Sequence, residues 1–123
     1  MKFCWTTIAV KDMESSIRFY QEIVGLAPTR RLKPSPEQEI AFLGTGETQV
    51  ELIWNAKKGL ILAAQDISMG FECASLDSLM ETFRKEGIPL HSGPFQPNPG
   101  IRFLYILDPD GHKLQFVEIP KQA

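Results

Sequence analysis

Two stretches close in the same way: Phe19-Tyr20-Gln21-Glu22-Ile23-Val24-Gly25-Leu26, and Met80-Glu81-Thr82-Phe83-Arg84-Lys85-Glu86-Gly87-Ile88, with the two glycines 62 residues apart. Each reads as the end of an amphipathic helix stopped by a glycine at the position after the last turn, where a left-handed conformation closes the helix. In the first, Met13, Ile17, Tyr20 and Val24 recur at helical spacing behind Asp12, a good N-cap. In the second, Leu79, Met80 and Phe83 line one side of a helix expected over 78–86. Asp77 or Ser78 is its predicted cap, and Ser78 with Glu81 fits a capping box.

Working outward, each helix is preceded by one extended run and followed by three. The first set is predicted at about 2–10, 26–33, 39–44 and 47–54. The second is predicted at about 69–76, 88–92, 100–107 and 112–119. Pro34-Ser35-Pro36 and Gly44-Thr45-Gly46-Glu47 mark breaks in the first set. Asp108-Pro109-Asp110-Gly111 marks a tight turn in the second, and Gly93 through Gly100 is predicted as a proline-rich loop able to act as a lid. The connector 55–67 fits either a short strand or a helix. One βαβββ unit therefore occurs twice. The expected fold class is α+β, with two modules (about 1–56 and 68–120) forming curled mixed sheets around a cleft, as one domain over 1–123. A single half of about 60 residues would bury too little surface to be comfortable alone.

Composition narrows the function classes. The chain has 123 residues, 43% apolar and 23% charged, with a formal charge of −2. That balance suits a globular domain and argues against nucleic acid, whose binders carry a basic face. No apolar run reaches the roughly 20 residues that span a bilayer. The N-terminal stretch lacks a long apolar signal segment, and Cys4 and Cys73 have no metal-type spacing, so a cytoplasmic location with free thiols is expected.

Three motifs carry a family resemblance: Trp5-Thr6-Thr7-Ile8-Ala9-Val10-Lys11-Asp12-Met13, the stretch Phe19 to Leu26, and Asp108-Pro109-Asp110-Gly111-His112-Lys113-Leu114-Gln115. In order and at this spacing, the chain resembles the vicinal oxygen chelate superfamily, the group of glyoxalase I, methylmalonyl-CoA epimerase, extradiol dioxygenases, and fosfomycin and bleomycin resistance proteins. The resemblance implies four metal-ligand positions, His, Glu, His and Glu in bacterial glyoxalase I. They fall on Trp5, Glu51, Phe71 and Gln115. Only Glu51 keeps its type. Gln115 offers at most a neutral carbonyl oxygen, and Trp and Phe have no lone pair to give, whereas a divalent catalyst wants about three protein donors. The resemblance also implies a proton-transfer base at Gln115, which has no proton to trade. It implies glutathione contacts at Ala9 and Asn55, of which only Asn55 suits the role.

Strand alternation puts Trp5, Thr7 and Ala9 on one face, with Gln49, Glu51 and Ile53, then Phe71 and Cys73, then Gln115 and Val117, all lining the expected cleft. An ionised Glu51 in an apolar cavity needs a partner, such as Arg102 or Lys113. The expected ligand-binding set is Trp5, Thr7, Glu51, Asn55, Phe71, Cys73 and Gln115, with Glu51 the candidate catalytic group as a general base in metal-free enolisation. The predicted function is binding of a small aromatic or cationic organic molecule by a homodimer without a cofactor, as bleomycin resistance proteins do. Two alternatives stay open: a glyoxalase I-type lyase or isomerase using a divalent metal such as nickel or zinc, and a structural or interaction module with a filled cleft.

Overall fold

A computed structural model describes residues 1–120. They form two compact units, Met1–Leu62 and a second beginning at Ala63.

The first unit starts with strand β1 (Trp5–Ala9) and helix α1 (Met13–Phe19), which runs into a π-helical turn over Tyr20–Val24. The Asp12 carboxylate accepts the amide of Ser15 at 3.0 Å, satisfying one of the donors a helix start leaves unpaired. Gly25 closes the turn at φ +83°, a conformation that costs a residue with a Cβ. Strands β2 (Pro28–Ser35), β3 (Gln38–Leu43) and β4 (Gln49–Asn55) follow. The sheet order is β1-β4-β3-β2, with β1 parallel to β4 and the other pairs antiparallel.

Alternation divides this sheet cleanly. Val50 and Leu52 of β4 face α1 and are buried with Ile8, Val10, Met13, Ile17 and Tyr20. Gln49, Glu51 and Ile53 point the other way. The register pairs Glu51 with Thr7 on one side and Phe42 on the other, and Phe42 with Arg30.

The second unit repeats the plan. Strand β5 (Ser68–Glu72) leads to helix α2 (Leu76–Glu86), closed by Gly87 at φ +71°, and then to β6 (Ser92–Asn98), β7 (Ile101–Leu107) and β8 (Lys113–Glu118). The order β5-β8-β7-β6, with β5 parallel to β8, matches the first sheet. Leu114 and Phe116 face α2, and the Phe83 and Phe116 rings meet edge to face at 5.5 Å. The turn after β7 is held by Asp108, whose carboxylate accepts the amides of Asp110 at 2.9 Å and His112 at 2.8 Å.

Four predicted features differ. Helix α2 begins earlier and is capped by Ser75, whose hydroxyl accepts the Ser78 amide at 3.2 Å; Glu81 pairs with Arg84 instead of closing a capping box. The stretch read as a proline-rich loop is strand β6. It is the edge strand of its sheet, where a missing N–H faces no neighbour, and its pairing with β7 shifts register twice. The connector 55–67 holds no helix or strand beyond the first residue, Asn55, which ends β4. Phe71 lies opposite Phe116, on the helix-covered face of its sheet, with ring centroids 5.8 Å apart.

Candidate functional site

The polar and aromatic side chains of interest lie on the helix-free face of each sheet. In the first unit the centre is Glu51, only 9% exposed. A buried carboxylate needs a donor, and here the Thr7 hydroxyl supplies it, in register on the neighbouring strand. The sequence reading looked to Arg102 or Lys113 for this role. Instead Arg102 pairs with Asp77 at 3.2 Å and approaches Glu118, and the Lys113 ammonium stands 5.6 Å from the Tyr105 ring centroid. A hydroxyl one strand away meets the need without a second charge.

Beside the carboxylate stands an aromatic pair. Trp5 is 42% exposed and meets the Phe42 ring at 5.0 Å in an edge-on arrangement. Arg30 lies over the same Phe42 ring, its guanidinium carbon 4.5 Å from the centroid. Gln49 is anchored to the Gly44 carbonyl at 3.0 Å and to the Thr29 hydroxyl at 3.3 Å. The expected face of Trp5, Thr7, Gln49, Glu51 and Ile53 is thus formed within one sheet. Asn55, at the end of β4, accepts the Lys57 amide at 2.9 Å and shapes a local turn.

In the second unit Gln115 is neutral and differently bound. Its amide nitrogen donates to the Tyr105 hydroxyl at 3.0 Å. Phe103 contacts both Tyr105 and Phe95, with centroids 5.9 and 5.4 Å apart, forming an aromatic row on this face. The in-register neighbour of Gln115 is Gly70, where an added Cβ would come 3.4 Å from the Gln115 carbonyl oxygen. The placement of Phe71 and Cys73 beside Gln115 is therefore corrected. Strand side chains alternate, so an assignment displaced by one residue exchanges faces. Phe71 joins Phe116, and Cys73, two residues on, lies near Glu118 and Ser75. Burial pushes the Cys73 thiol up from its ordinary range, and Glu118 and Glu72 add to the effect. That is the reverse of what a thiolate nucleophile needs.

Sequence reasoning missed Arg30, Phe42, Phe103 and Tyr105. Phe42 was findable, because it lies two residues from Ile40 in an alternating run opposite Glu51. Arg30 and Arg31 become distinguishable only once register assigns them to opposite faces.

Of the four positions the family resemblance implies for metal ligands, Glu51 alone is a carboxylate. Among the described residues no three His, Cys, Asp or Glu side chains stand together as a possible metal site. Trp5 has no lone pair in the plane of its ring.

Two βαβββ units, each with a helix on one face and a polar-aromatic patch on the other, define a glyoxalase-type α+β protein. The chain belongs to the Glyoxalase/Bleomycin resistance protein/Dioxygenase superfamily, whose model matches residues 2–116. It is 27% identical to the lactoylglutathione lyase of Haemophilus influenzae, an alignment covering 96% of this chain and 93% of that protein. The structure is similar to trypanothione-dependent glyoxalase I of Leishmania major, with a TM-score of 0.81 at 23% identity, covering 96% of this chain and 86% of that one. It is also similar to TnmS3, an antibiotic-binding protein from Streptomyces sp. CB03234, with a TM-score of 0.74 at 18% identity, covering 98% and 97%. No helix among the described residues is long and apolar enough to cross a membrane.

Proposed function

We propose that this chain is a metal-free binding protein that holds a small, flat organic molecule on the helix-free face of its first sheet. One observation carries the reading: a half-exposed indole, Trp5, stands at the family's first ligand position, packed on Phe42 beside a buried carboxylate held by Thr7. An aromatic surface supplies stacking area, and a fixed acceptor supplies orientation. That combination is usual in small-molecule sites. TnmS3, a protein of similar fold, is an antibiotic-binding protein.

A second reading, a lyase of the lactoylglutathione type, is favoured by the bacterial relatives that match 96% of the chain. Against it stand Trp5, Ala9 and Gln115, which replace a metal ligand, a glutathione-binding arginine and a catalytic carboxylate of that class. Ligand binding on this face also competes with a filled, purely structural face.

The test is a thermal-shift screen of aromatic acids, phenols and aromatic amines. A ligand present at about 100 times its Kd stabilises the folded state by roughly 2.7 kcal/mol, a shift of several degrees for a chain of this size. The shift should vanish in Trp5→Ala and persist in Trp5→Phe. If no compound moves the wild type, the structural reading prevails. Turnover of a glutathione hemithioacetal that depends on Glu51 would establish the lyase.

A further inference from the structure

Adjacent residues Arg30 and Arg31 have opposite fates. Arg31 lies on the helix side, where it bonds Glu14 at 2.7 Å and also Glu39. Arg30 points to the other face, over the Phe42 ring, and among the described residues no carboxylate pairs with it. It completes a straight register row across the sheet: Thr7, Glu51, Phe42, Arg30. Neighbouring strands lie about 4.8 Å apart, so the Cα atoms of Glu51 and Arg30 are roughly 10 Å apart with an aromatic ring between them.

We propose that Arg30 sets the specificity of this face, which takes a flat aromatic molecule carrying an anionic group at one end and a hydroxyl or N–H donor at the other. The proposal rests on the binding reading above and names its ligand class. The ring lies against Trp5, which Phe42 backs from below, the anion meets Arg30, and the donor meets Glu51.

Three physical points support this. A guanidinium resting on an aromatic ring is held in place while its N–H edge stays available for a planar anion. Glu51 receives the Thr7 hydroxyl, yet a carboxylate has about four lone-pair sites, so acceptor capacity remains for a ligand donor. An aromatic cation or a neutral ring could meet Glu51, but either would leave Arg30 unused. The repulsion between the ligand's anion and Glu51 is small, because their separation is close to a Debye length at physiological salt.

The experiment is calorimetric titration with three probes that share one ring: 4-hydroxyphenylacetate (anion), 4-methylphenol (neutral) and tyramine (cation). Each is titrated into wild type, Arg30→Gln and Arg31→Gln. A charge-assisted contact to Arg30 should make the acid bind roughly tenfold tighter than the neutral phenol. In Arg30→Gln the acid should fall to the level of the phenol. Arg31→Gln removes the same charge from the other face and should keep the order. If tyramine binds as tightly as the acid, or if the preference survives in Arg30→Gln, the inference fails while the binding reading stands. If no probe binds the wild type, both fail.

Discussion

The two sheets share strand order, a capped helix on one face and a left-handed glycine after that helix, yet their helix-free faces have diverged. The first carries a charged acceptor, Glu51, fixed by Thr7 and flanked by Trp5, Phe42 and Arg30. The second carries a neutral amide, Gln115, fixed by Tyr105 beside a row of phenyl rings, with a bare glycine where the first sheet has Thr7. The residues that face the helices keep the apolar pattern in both. Packing constrains that side because core volume is unforgiving. The other side is free to change chemistry without changing the fold, which is how one scaffold serves many activities.

The largest expected effect tests the shared half of the comparison. Leu52 and Leu114 are fully buried on the helix-facing sides of β4 and β8. Leu52→Ala and Leu114→Ala should each cost about 2–5 kcal/mol in urea unfolding. A cost below about 1 kcal/mol for only one of them would mean that the two cores are not equivalent.

The next pair sharpens the difference. Thr7→Val strips a buried carboxylate of its hydroxyl donor and should cost about 1–3 kcal/mol, whereas Tyr105→Phe removes the partner of a neutral amide and should cost about 0.5–1.5 kcal/mol. The same unfolding measurement checks both, and a reversed order would break the contrast between charged and neutral faces.

A smaller effect concerns the thiols. Cys4 is exposed and Cys73 partly buried, with its pKa raised chiefly by burial and further by Glu118 and Glu72. The folded state thus holds the Cys73 proton more tightly than the unfolded chain does. The associated stability is present below the ordinary thiol range and is lost as pH rises through the raised value. Unfolding of wild type and Cys73→Ser between about pH 8 and pH 10 should show the wild type losing more. Iodoacetamide should label Cys4 before Cys73, and equal rates would contradict the burial assigned to Cys73.

Much of this architecture is legible in the sequence. Helix-closing glycines, the Asp12 cap and the Asp108 turn depend on local chemistry, so residue type and spacing suffice to place them. The alternation around Glu51 likewise puts Trp5 and Thr7 on its face, because parallel β1 and β4 are both regular there. Three features depend on partners that a linear reading does not show. Prolines in β6 signal a loop unless the strand is known to be an edge. Phe71 was put on the wrong face because no local signal fixes the register of β5 against β8. Ser75, rather than Asp77 or Ser78, caps α2, where Glu118 from β8 also accepts the Leu76 amide at 2.8 Å.

We propose that the Glu51 carboxylate serves an organic ligand and not a cation. Elemental analysis of the purified protein, after incubation with nickel or zinc and removal of the excess by gel filtration, tests it most directly. Far less than one metal ion per chain is expected, with wild type and Glu51→Gln alike. One tightly retained ion per chain in the wild type, lost in Glu51→Gln, would contradict the claim.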